Sequence, residues 1–290
     1  MTMHPKAFRS IASAAALLAV AAAPVAQAQL TYTQTVESTP GLLAYYQFSG
    51  STNSNVNGYT GALTTGASLD ATGSGPALAD DPSNQALRLN GTSGNELQSS
   101  LRNGVATSGS IVAWVNLSVL PSSAGRIFYV AGQSAYTDDF DLQFQTDNLL
   151  YFYTDSGGHV ASLTPLTFAS LGTWIFVAAT FTAGLDRNLY INGVLVNSNI
   201  PPGHTDSGSP FTIGYSDVFG GRAFSGDIDE VAFYGTDLSA SQVAAIYSSS
   251  LVAVPEPAAG ALMLGVASLG FAATLRRRGP RSSPKMSRFR

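Results

Sequence analysis

Two aspartates near the end of the chain have the spacing and the setting of cation ligands. Asp227 and Asp229 open the apolar segment 227–234, in which Val231 and Phe233 continue the same alternation. Because successive side chains of a strand point to opposite faces, this spacing predicts that all four side chains point into the protein. An inward carboxylate is costly unless it is paired, hydrogen-bonded or bound to a metal. Asp229 is therefore the first candidate ligand, and Asp227 the second; alternatively, Asp229 accepts backbone N–H bonds or meets an arginine.

The residue types give little support to a catalytic site. The chain contains no cysteine, which excludes thiol catalysis, thiolate metal sites and disulfides. Beyond residue 28 the only histidines are His159 and His204, and both fall in glycine-containing segments that predict surface loops, so no Ser-His-Asp site is expected. No glycine-rich segment followed by lysine connects a strand to a helix, so nucleotide binding is not expected either. We assign no catalytic residue.

Three aromatic residues are candidate ligand contacts. Tyr136, Tyr215 and Phe219 lie in or beside segments rich in glycine, serine and aspartate. Aromatic faces exposed on such loops are surfaces on which sugar rings stack. The alternative is that each ring fills the interior of a β-sandwich.

The charge distribution excludes one large class of partners. Residues 29–275 contain no lysine, and five arginines stand against 18 acidic residues, which gives a formal charge of −13. Such a surface repels nucleic acid and anionic lipid. It suits hydrated polysaccharide or divalent cations, and it equally suits plain solubility.

The N-terminus has the pattern of a secretory signal peptide. Lys6 and Arg9 precede the apolar run 11–23, and the small residues Ala26 and Ala28 form a cleavage site. We predict cleavage after Ala28, with an uncleaved anchor as the alternative.

The C-terminus carries a three-part pattern. Pro255-Glu256-Pro257 precedes the uncharged apolar run 258–275, and Arg276-Arg277-Arg278 follows it. At about 1.5 Å per residue this run spans roughly 27 Å, enough to cross a bilayer core with the arginines in the cytoplasm. The order of motif, helix and arginines resembles the PEP-CTERM sorting signal of Gram-negative bacteria. That resemblance implies recognition by an exosortase and cutting near Pro255-Glu256-Pro257; an ordinary membrane anchor is the alternative.

Between these segments the pattern predicts an all-β fold. Short apolar runs recur between turn residues, as in sandwiches and barrels. Residues 140–145 alternate and predict one buried and one wet face, while Asn192-Gly193 predicts a type I′ hairpin. Residues 238–247 predict the one soluble helix, with Ser239 as its N-cap.

Six motifs in order resemble the laminin G-like, concanavalin A-like jelly roll domain. They are Gly41-Leu-Leu-Ala-Tyr-Tyr-Gln-Phe48, Ala86-Leu-Arg-Leu-Asn-Gly91, Ser110-Ile-Val-Ala-Trp-Val115, Gly172-Thr-Trp-Ile-Phe-Val-Ala-Ala179, Leu189-Tyr-Ile-Asn-Gly-Val-Leu-Val196 and Gly226-Asp-Ile-Asp-Glu-Val-Ala-Phe-Tyr234. The resemblance implies a two-sheet antiparallel jelly roll sandwich with one short C-terminal helix. It also implies binding of glycans or proteins and, near the last strand, a structural Ca²⁺ for Asp229. Ser49 stands where relatives commonly have an acid, which weakens a metal site that includes the first strand.

The same scaffold carries glycoside hydrolases, in which two carboxyls must flank the scissile bond. Family 16 glucanases place acids at three alternate positions of one strand. Here Val231 occupies the third position after Asp227 and Asp229, so the series is incomplete.

The resulting organisation has six parts: a signal peptide (1–28), a lead-in (29–40), the jelly roll domain (41–249), a linker (250–257), a transmembrane sorting helix (258–275) and a basic cytoplasmic tail (276–290). We expect an exported, non-enzymatic, lectin-like or adhesive protein of the Gram-negative outer surface, envelope or matrix. Its expected partners are an exosortase, a glycan or exopolysaccharide, and the membrane before processing. A purely structural biofilm protein and a glycoside hydrolase are the alternatives.

Overall fold

The computed structural model describes residues 29–251 except 71–73, 83, 134–139, 155–157, 202–203 and 218–220. The signal peptide, the Pro-Glu-Pro motif, the sorting helix and the arginine cluster therefore lie outside the described residues. In the described ranges, none of the helices combines the length and the hydropathy that a membrane span requires.

Short strands make up most of the described chain. They are β1 (Leu42–Tyr46), β2 (Gly61–Leu63), β3 (Ser68–Leu69), β4 (Leu87–Asn90), β5 (Leu97–Ser99), β6 (Ser108–Leu117), β7 (Phe128–Gln133), β8 (Phe140–Phe144), β9 (Leu150–Thr154), β10 (His159–Ala161), β11 (Ile175–Thr182), β12 (Asp186–Ile191), β13 (Val194–Asn199), β14 (Thr212–Ile213), β15 (Tyr215–Ser216), β16 (Arg222–Ala223) and β17 (Ser225–Tyr234).

The strands form two antiparallel sheets packed face to face, which confirms the predicted sandwich. The first sheet has the order β13-β12-β11-β6-β17-β4-β3, and β1 also pairs with β17. The second sheet has the order β10-β9-β8-β7-β14-β5-β2, and β15 and β16 form a separate hairpin. Neighbours in space are often distant in sequence, as β6 and β17 are, so connections run between the sheets as in a jelly roll.

The main core lies between the sheets and is rich in phenylalanine. Phe140 of β8 is fully buried, and its ring lies 5.5 Å from Phe152, 5.6 Å from Phe181 and 6.1 Å from Phe211, measured between centroids. Offset and edge-on aromatic contacts at such distances add to the free energy gained from burying the rings. This core fixes β8 and β9 against the first sheet.

Helices cover the outer face of the first sheet. They are α1 (Tyr32–Ser38) and α3 (Ala240–Ser249), accompanied elsewhere by the short helix α2 (Pro121–Ala124) and a 3₁₀ turn at Phe168–Ser170. Tyr32 and Val36 of α1 and Val243 and Ile246 of α3 pack with Trp114 and other outward-facing side chains of the sheet in a second apolar cluster. The expectation of a single soluble helix is therefore wrong, because the lead-in also folds onto this face.

Two local predictions are confirmed. Asn192 and Gly193, which connect β12 to β13, have φ angles of 49° and 74°, as a type I′ turn requires. Ser239 caps α3 and forms a capping box with Gln242.

Candidate functional site

The outer face of the second sheet carries a group of polar and aromatic side chains, which we call the polar face. Register places Tyr129, Gln143 and Tyr151 in one row across β7, β8 and β9. Asp141, Tyr153 and His159 form the adjacent row across β8, β9 and β10. The intervening residues, Leu142, Phe152 and Val160, belong to the core between the sheets. Alternation along each strand thus directs these six side chains away from the core.

The polar face is buried in its centre, which corrects the expectation of a wet face on β8. Asp141 and Gln143 are both 0% exposed. Arg222 on the β15–β16 hairpin donates from Nη1 to Asp141 Oδ2 at 3.1 Å, and its side chain is 11% exposed. This hairpin lies against β7 and covers part of the face. Because the covering segment comes from a distant part of the chain, alternation within β8 could not reveal it.

The open end of the polar face is an aromatic platform, formed by Tyr151, Tyr153 and His159. The two tyrosine rings are stacked, with centroids 6.0 Å apart and 16° between their planes. The His159 ring lies 5.0 Å from Tyr151 and 5.1 Å from Tyr153. Both tyrosines are partly exposed and His159 is exposed, so the three rings present one accessible aromatic surface.

Polar neighbours fix the two tyrosine hydroxyls of the platform. The Tyr151 hydroxyl donates to Asp147 Oδ2 at 2.8 Å, and Gln145 Nε2 donates to the Tyr153 hydroxyl at 3.1 Å. Burial, followed by the hydrogen bond and the charge of Asp147, raises the pKa of Tyr151 to about 12. Burial and the charge of Arg187 lower the pKa of His159. At neutral pH the platform therefore consists of neutral rings.

The buried centre of the polar face, which we call the floor, holds hydrogen-bonding atoms that the described residues do not satisfy. The Oε1 and Nε2 atoms of Gln143 and the Oγ atom of Ser216 are buried without a hydrogen-bond partner among the described residues. Gln143 nevertheless lies close enough to Tyr153 to lower the pKa of its hydroxyl, against the larger raising effects of burial and Asp141. Buried polar atoms normally find a protein or water partner, so these atoms indicate places for ordered water.

Two further acids border the face on the side of β5. Leu97 lies in the core, so Glu96 and Gln98 point outward. Burial and the negative charge of Asp217 raise the pKa of Glu96 to about 7. This end of the face is consequently acidic.

Of the three predicted ligand contacts, the structure describes Tyr215. Tyr215 is 9% exposed and begins β15, so it fits the interpretation as an interior ring better than that of an open ligand contact. Tyr136 and Phe219 lie outside the described residues. Of the two histidines expected in surface loops, His159 instead begins β10, and His204 packs against Phe140 and Phe181. Sequence reasoning missed Tyr151 and Tyr153, although their alternation with Phe152 was the available signal.

On the first sheet, the predicted orientation of the aspartates is wrong. The pairing of β17 with β6 shifts register between Asp229 and Ala232, and Glu230 has a φ of 54°. This bulge places Ile228, Val231 and Phe233 in the core between the sheets. It leaves Asp227 and Asp229 on the opposite side of the strand from Val231 and Phe233.

The two aspartates have different surroundings. Both carboxylate oxygens of Asp227 accept from Arg88, through Nε and, at 3.1 Å, through Nη2. Arg88 also pairs with Asp70. Arg88 thus occupies both carboxylate oxygens of Asp227, whereas Asp229 has no arginine among its described partners.

Asp229 and its neighbour Glu230 form a fully buried acid pair. The Glu230 backbone N–H donates to Asp229 Oδ1 at 2.8 Å, and the Tyr45 hydroxyl donates to Glu230 Oε2. Asp229 Oδ2 and Glu230 Oε1 have no hydrogen-bond partner among the described residues. Burial, and secondarily the neighbouring carboxylates, raise the pKa of both groups well above the usual range.

Oxygen atoms around this acid pair are of the type that Ca²⁺ prefers. The Ser49 hydroxyl contacts Asp81 and donates to Asn84 Oδ1 at 3.1 Å. Asn84 lowers the pKa of Asp229, and the charge of Asp81 raises it. Within the described ranges, however, no three Asp, Glu, His or Cys side chains are grouped closely enough to hold a metal ion. A cation here would need the amide and hydroxyl oxygens or water in addition to the carboxylates. Sequence reasoning missed Glu230, Asp81 and Asn84; the Asp80-Asp81 pair was the only signal.

Comparison with solved structures identifies proteins of similar fold. The receptor-binding domain of botulinum neurotoxin D matches with a TM-score of 0.56 and 12% identity over 73% of this chain and 53% of that domain. The same type of domain in complex with N-acetylneuraminic acid matches with a TM-score of 0.55 and 13% identity, over 73% of this chain and 52% of that one. The chain thus spans about half the length of these toxin domains.

A smaller domain is matched over nearly its whole length. Domain 4 of AbnA, an extracellular arabinanase from Geobacillus stearothermophilus in complex with arabinotriose, shows a TM-score of 0.52 and 21% identity over 71% of this chain and 98% of that domain. No curated protein sequence matches the chain. At these identities, the structural matches show the fold.

The family itself is shown by sequence. A family model described as the concanavalin A-like lectin/glucanases superfamily, laminin G type, matches residues 89–244, which is more than half of the chain. The chain belongs to the concanavalin A-like lectin/glucanase superfamily.

Proposed function

We propose that this protein is an exported, non-enzymatic glycan-binding protein, and that the ligand lies on the polar face against the aromatic platform. The observation that carries the proposal is the exposed ring cluster of Tyr151, Tyr153 and His159 beside hydrogen-bonding groups. Sugars present apolar C–H faces and hydroxyl edges, so a ring surface next to carboxylate and amide groups satisfies both parts. The complexes of similar folds with N-acetylneuraminic acid and arabinotriose support a glycan as the ligand class.

Removal of the platform rings tests this proposal. Tyr151→Ala and Tyr153→Ala should each weaken binding to a responsive polysaccharide at least tenfold in affinity electrophoresis or calorimetry, with the melting temperature nearly unchanged. Leu195→Ala is the matched control, because Leu195 is 47% exposed on the first sheet, away from the platform. Unchanged affinity in both tyrosine variants would refute the placement of the ligand on this face. A glycan array on which the full-length protein binds nothing would favour the structural biofilm protein instead.

The buried acid pair on β17 supports a second role, as a structural Ca²⁺ site. We place Asp229 and Glu230 as its carboxylate ligands, with Asn84 and Ser49 as neighbouring oxygen donors. When bound, the cation would compensate two carboxylates that otherwise carry their burial cost alone. Asp227 is left out of this set because Arg88 occupies both of its oxygens.

A glycoside hydrolase on the same fold is the alternative that one observation favours. Glu96 has a pKa of about 7 beside Asp217, and such a raised pKa suits a general acid next to a second carboxylate. Release of reducing sugars from polysaccharides between pH 5 and pH 8, abolished by Glu96→Gln, would establish this alternative and overturn the non-enzymatic proposal.

The proposal also includes export of the protein to the cell surface. The signal peptide pattern at 1–28 and the PEP-CTERM-like tail support export to the outer surface, envelope or matrix of a Gram-negative cell, with exosortase processing near Pro255-Glu256-Pro257. An antibody against the folded domain should detect a shortened product outside the inner membrane. Detection of full-length, membrane-bound protein alone would favour the ordinary anchor.

A further inference from the structure

We infer that the polar face selects uncharged glycans and discriminates against polysaccharides that carry carboxylate or sulfate groups. This inference rests on the proposed function and names the ligand class of the same site. It follows from the charges on the face and from the contacts that each arginine of the folded body makes.

The side chains that border the platform and the floor are acidic or neutral. Asp147 lies beside Tyr151, and Asp217 lies close enough to Glu96 to raise its pKa. The one cation on this face, among the described residues, is Arg222, and it is held by the carboxylate of Asp141 at 3.1 Å. Arg187, whose charge lowers the pKa of His159, is only 1% exposed. An approaching sugar carboxylate or sulfate would therefore meet acidic side chains and no accessible cation among the described residues of the face.

The remaining cations of the body are arginines that already have partners of their own. Residues 29–275 contain no lysine. Each of the other four arginines is engaged elsewhere: Arg88 with Asp70 and Asp227, Arg102 with the Gly208 carbonyl, Arg126 with the Ala223 carbonyl and the Phe128 ring, and Arg187 with Thr154, Gly158 and Asn199. Recognition of anionic groups in proteins ordinarily uses arginine forks or lysine, so the face is built without the residues that an anionic glycan needs.

Neutral hydroxyls, in contrast, match the groups present. Asp147 accepts hydrogen bonds, the amide of Gln145 both donates and accepts, and the tyrosine hydroxyls do the same. These groups can bond sugar hydroxyls without a charge on the ligand. Binding to a neutral chain should therefore respond weakly to salt.

Matched polysaccharides of one backbone test the inference on the full-length protein. Suitable pairs are dextran and dextran sulfate, hydroxyethylcellulose and carboxymethylcellulose, and methyl-esterified galacturonan and galacturonate. For any backbone that binds, we expect the neutral member to bind at least tenfold more tightly at low salt. The difference should narrow at high salt, because screening weakens the repulsion of the anionic member. The measurements are made in EDTA and repeated with Ca²⁺.

Charge-removing variants add a control. Asp147→Asn keeps the turn and should narrow the ratio of neutral to anionic affinity roughly two- to fivefold, as removal of one surface charge does, even if it also weakens neutral binding. Glu37→Gln removes the same charge from the exposed side of α1, on the other sheet, and should change neither affinity.

The outcomes separate this inference from the proposed function. Equal or tighter binding of the anionic member, with or without Ca²⁺, overturns the inference and leaves glycan binding intact. Binding of neither member of any pair overturns both. If Glu37→Gln narrows the preference for the neutral member and Asp147→Asn does not, the discrimination arises from the overall charge of the protein. That result would overturn its assignment to the polar face.

Discussion

The buried acid pair should make the stability of this protein fall as the pH rises, and the proposed Ca²⁺ site should oppose that fall. Asp229 and Glu230 have pKa values raised well above those of the unfolded chain, chiefly by burial. A raised folded-state pKa contributes stability below the unfolded pKa, near pH 4, and this contribution is lost as the pH rises through the folded value. Without a divalent cation, the melting temperature should therefore fall between pH 5 and pH 8.

The expected size follows from proton linkage. For each proton that the folded protein holds and the unfolded chain has released, stability falls by about 1.4 kcal/mol per pH unit. In a domain of this size, 1 kcal/mol corresponds to about 2–4 °C, so one retained proton gives a fall of roughly 3–6 °C per pH unit. Ca²⁺ at a hundred times its dissociation constant should restore about 2.7 kcal/mol, or roughly 5–11 °C, at pH 8. At pH 5 its effect should shrink, because protons compete for the carboxylates.

Thermal unfolding between pH 5 and pH 8, in EDTA, in Ca²⁺ and in Mg²⁺, measures both effects. The isosteric variants Asp229→Asn and Glu230→Gln should each flatten the pH dependence in EDTA and abolish the Ca²⁺ shift. Asp147→Asn, at an exposed site on the other sheet, is the control and should leave both unchanged. A melting temperature that rises from pH 5 to pH 8 in EDTA would refute the pH argument. A Ca²⁺ shift that survives in both variants would refute the assignment of the cation to this pair.

Three further predictions concern single positions. Phe140→Ala should lower the free energy of unfolding by about 3–5 kcal/mol in chemical denaturation, because the ring lies between three other phenylalanines of the core. Gly193→Ala should lower the melting temperature, because Gly193 has a φ of 74° and an added Cβ would lie 2.9 Å from the Tyr247 ring. Gly184→Ala is the control for positive φ alone, since its Cβ would meet nothing within 4 Å, and it should lower the melting temperature less. Glu96→Gln should raise stability at pH 8 more than at pH 5, because the pKa of Glu96 is raised to about 7 and its charged form is disfavoured in the fold; an equal effect at both pH values would contradict this cause.

Features that depend on neighbouring residues were predictable from the sequence. The Asn192-Gly193 turn needs two positive φ angles in succession, and this pair of residue types adopts them readily. The cap of α3 needs Ser239 and Gln242 three positions apart. Helix α1 carries the same kind of signal, because Thr31 forms a capping box with Gln34. It escaped prediction because only Tyr32 and Val36 of this short helix are buried, which is too few to form an apolar stripe.

Features that depend on register or on distant segments were not predictable. A strand that alternates in sequence need not alternate in space, because one extra residue at a bulge reverses the face of everything beyond it. Glu230 is that residue, and with it Asp229 moves from the predicted interior between the sheets to a separate buried site. Likewise, the alternation of β8 correctly separates Phe140 from Asp141, but only the hairpin that carries Arg222 decides that the polar side is buried. On β8 the sequence shows which side chains share a face, whereas on β17 the bulge breaks that alternation. In both places, packing between remote segments determines which chemistry the face can support.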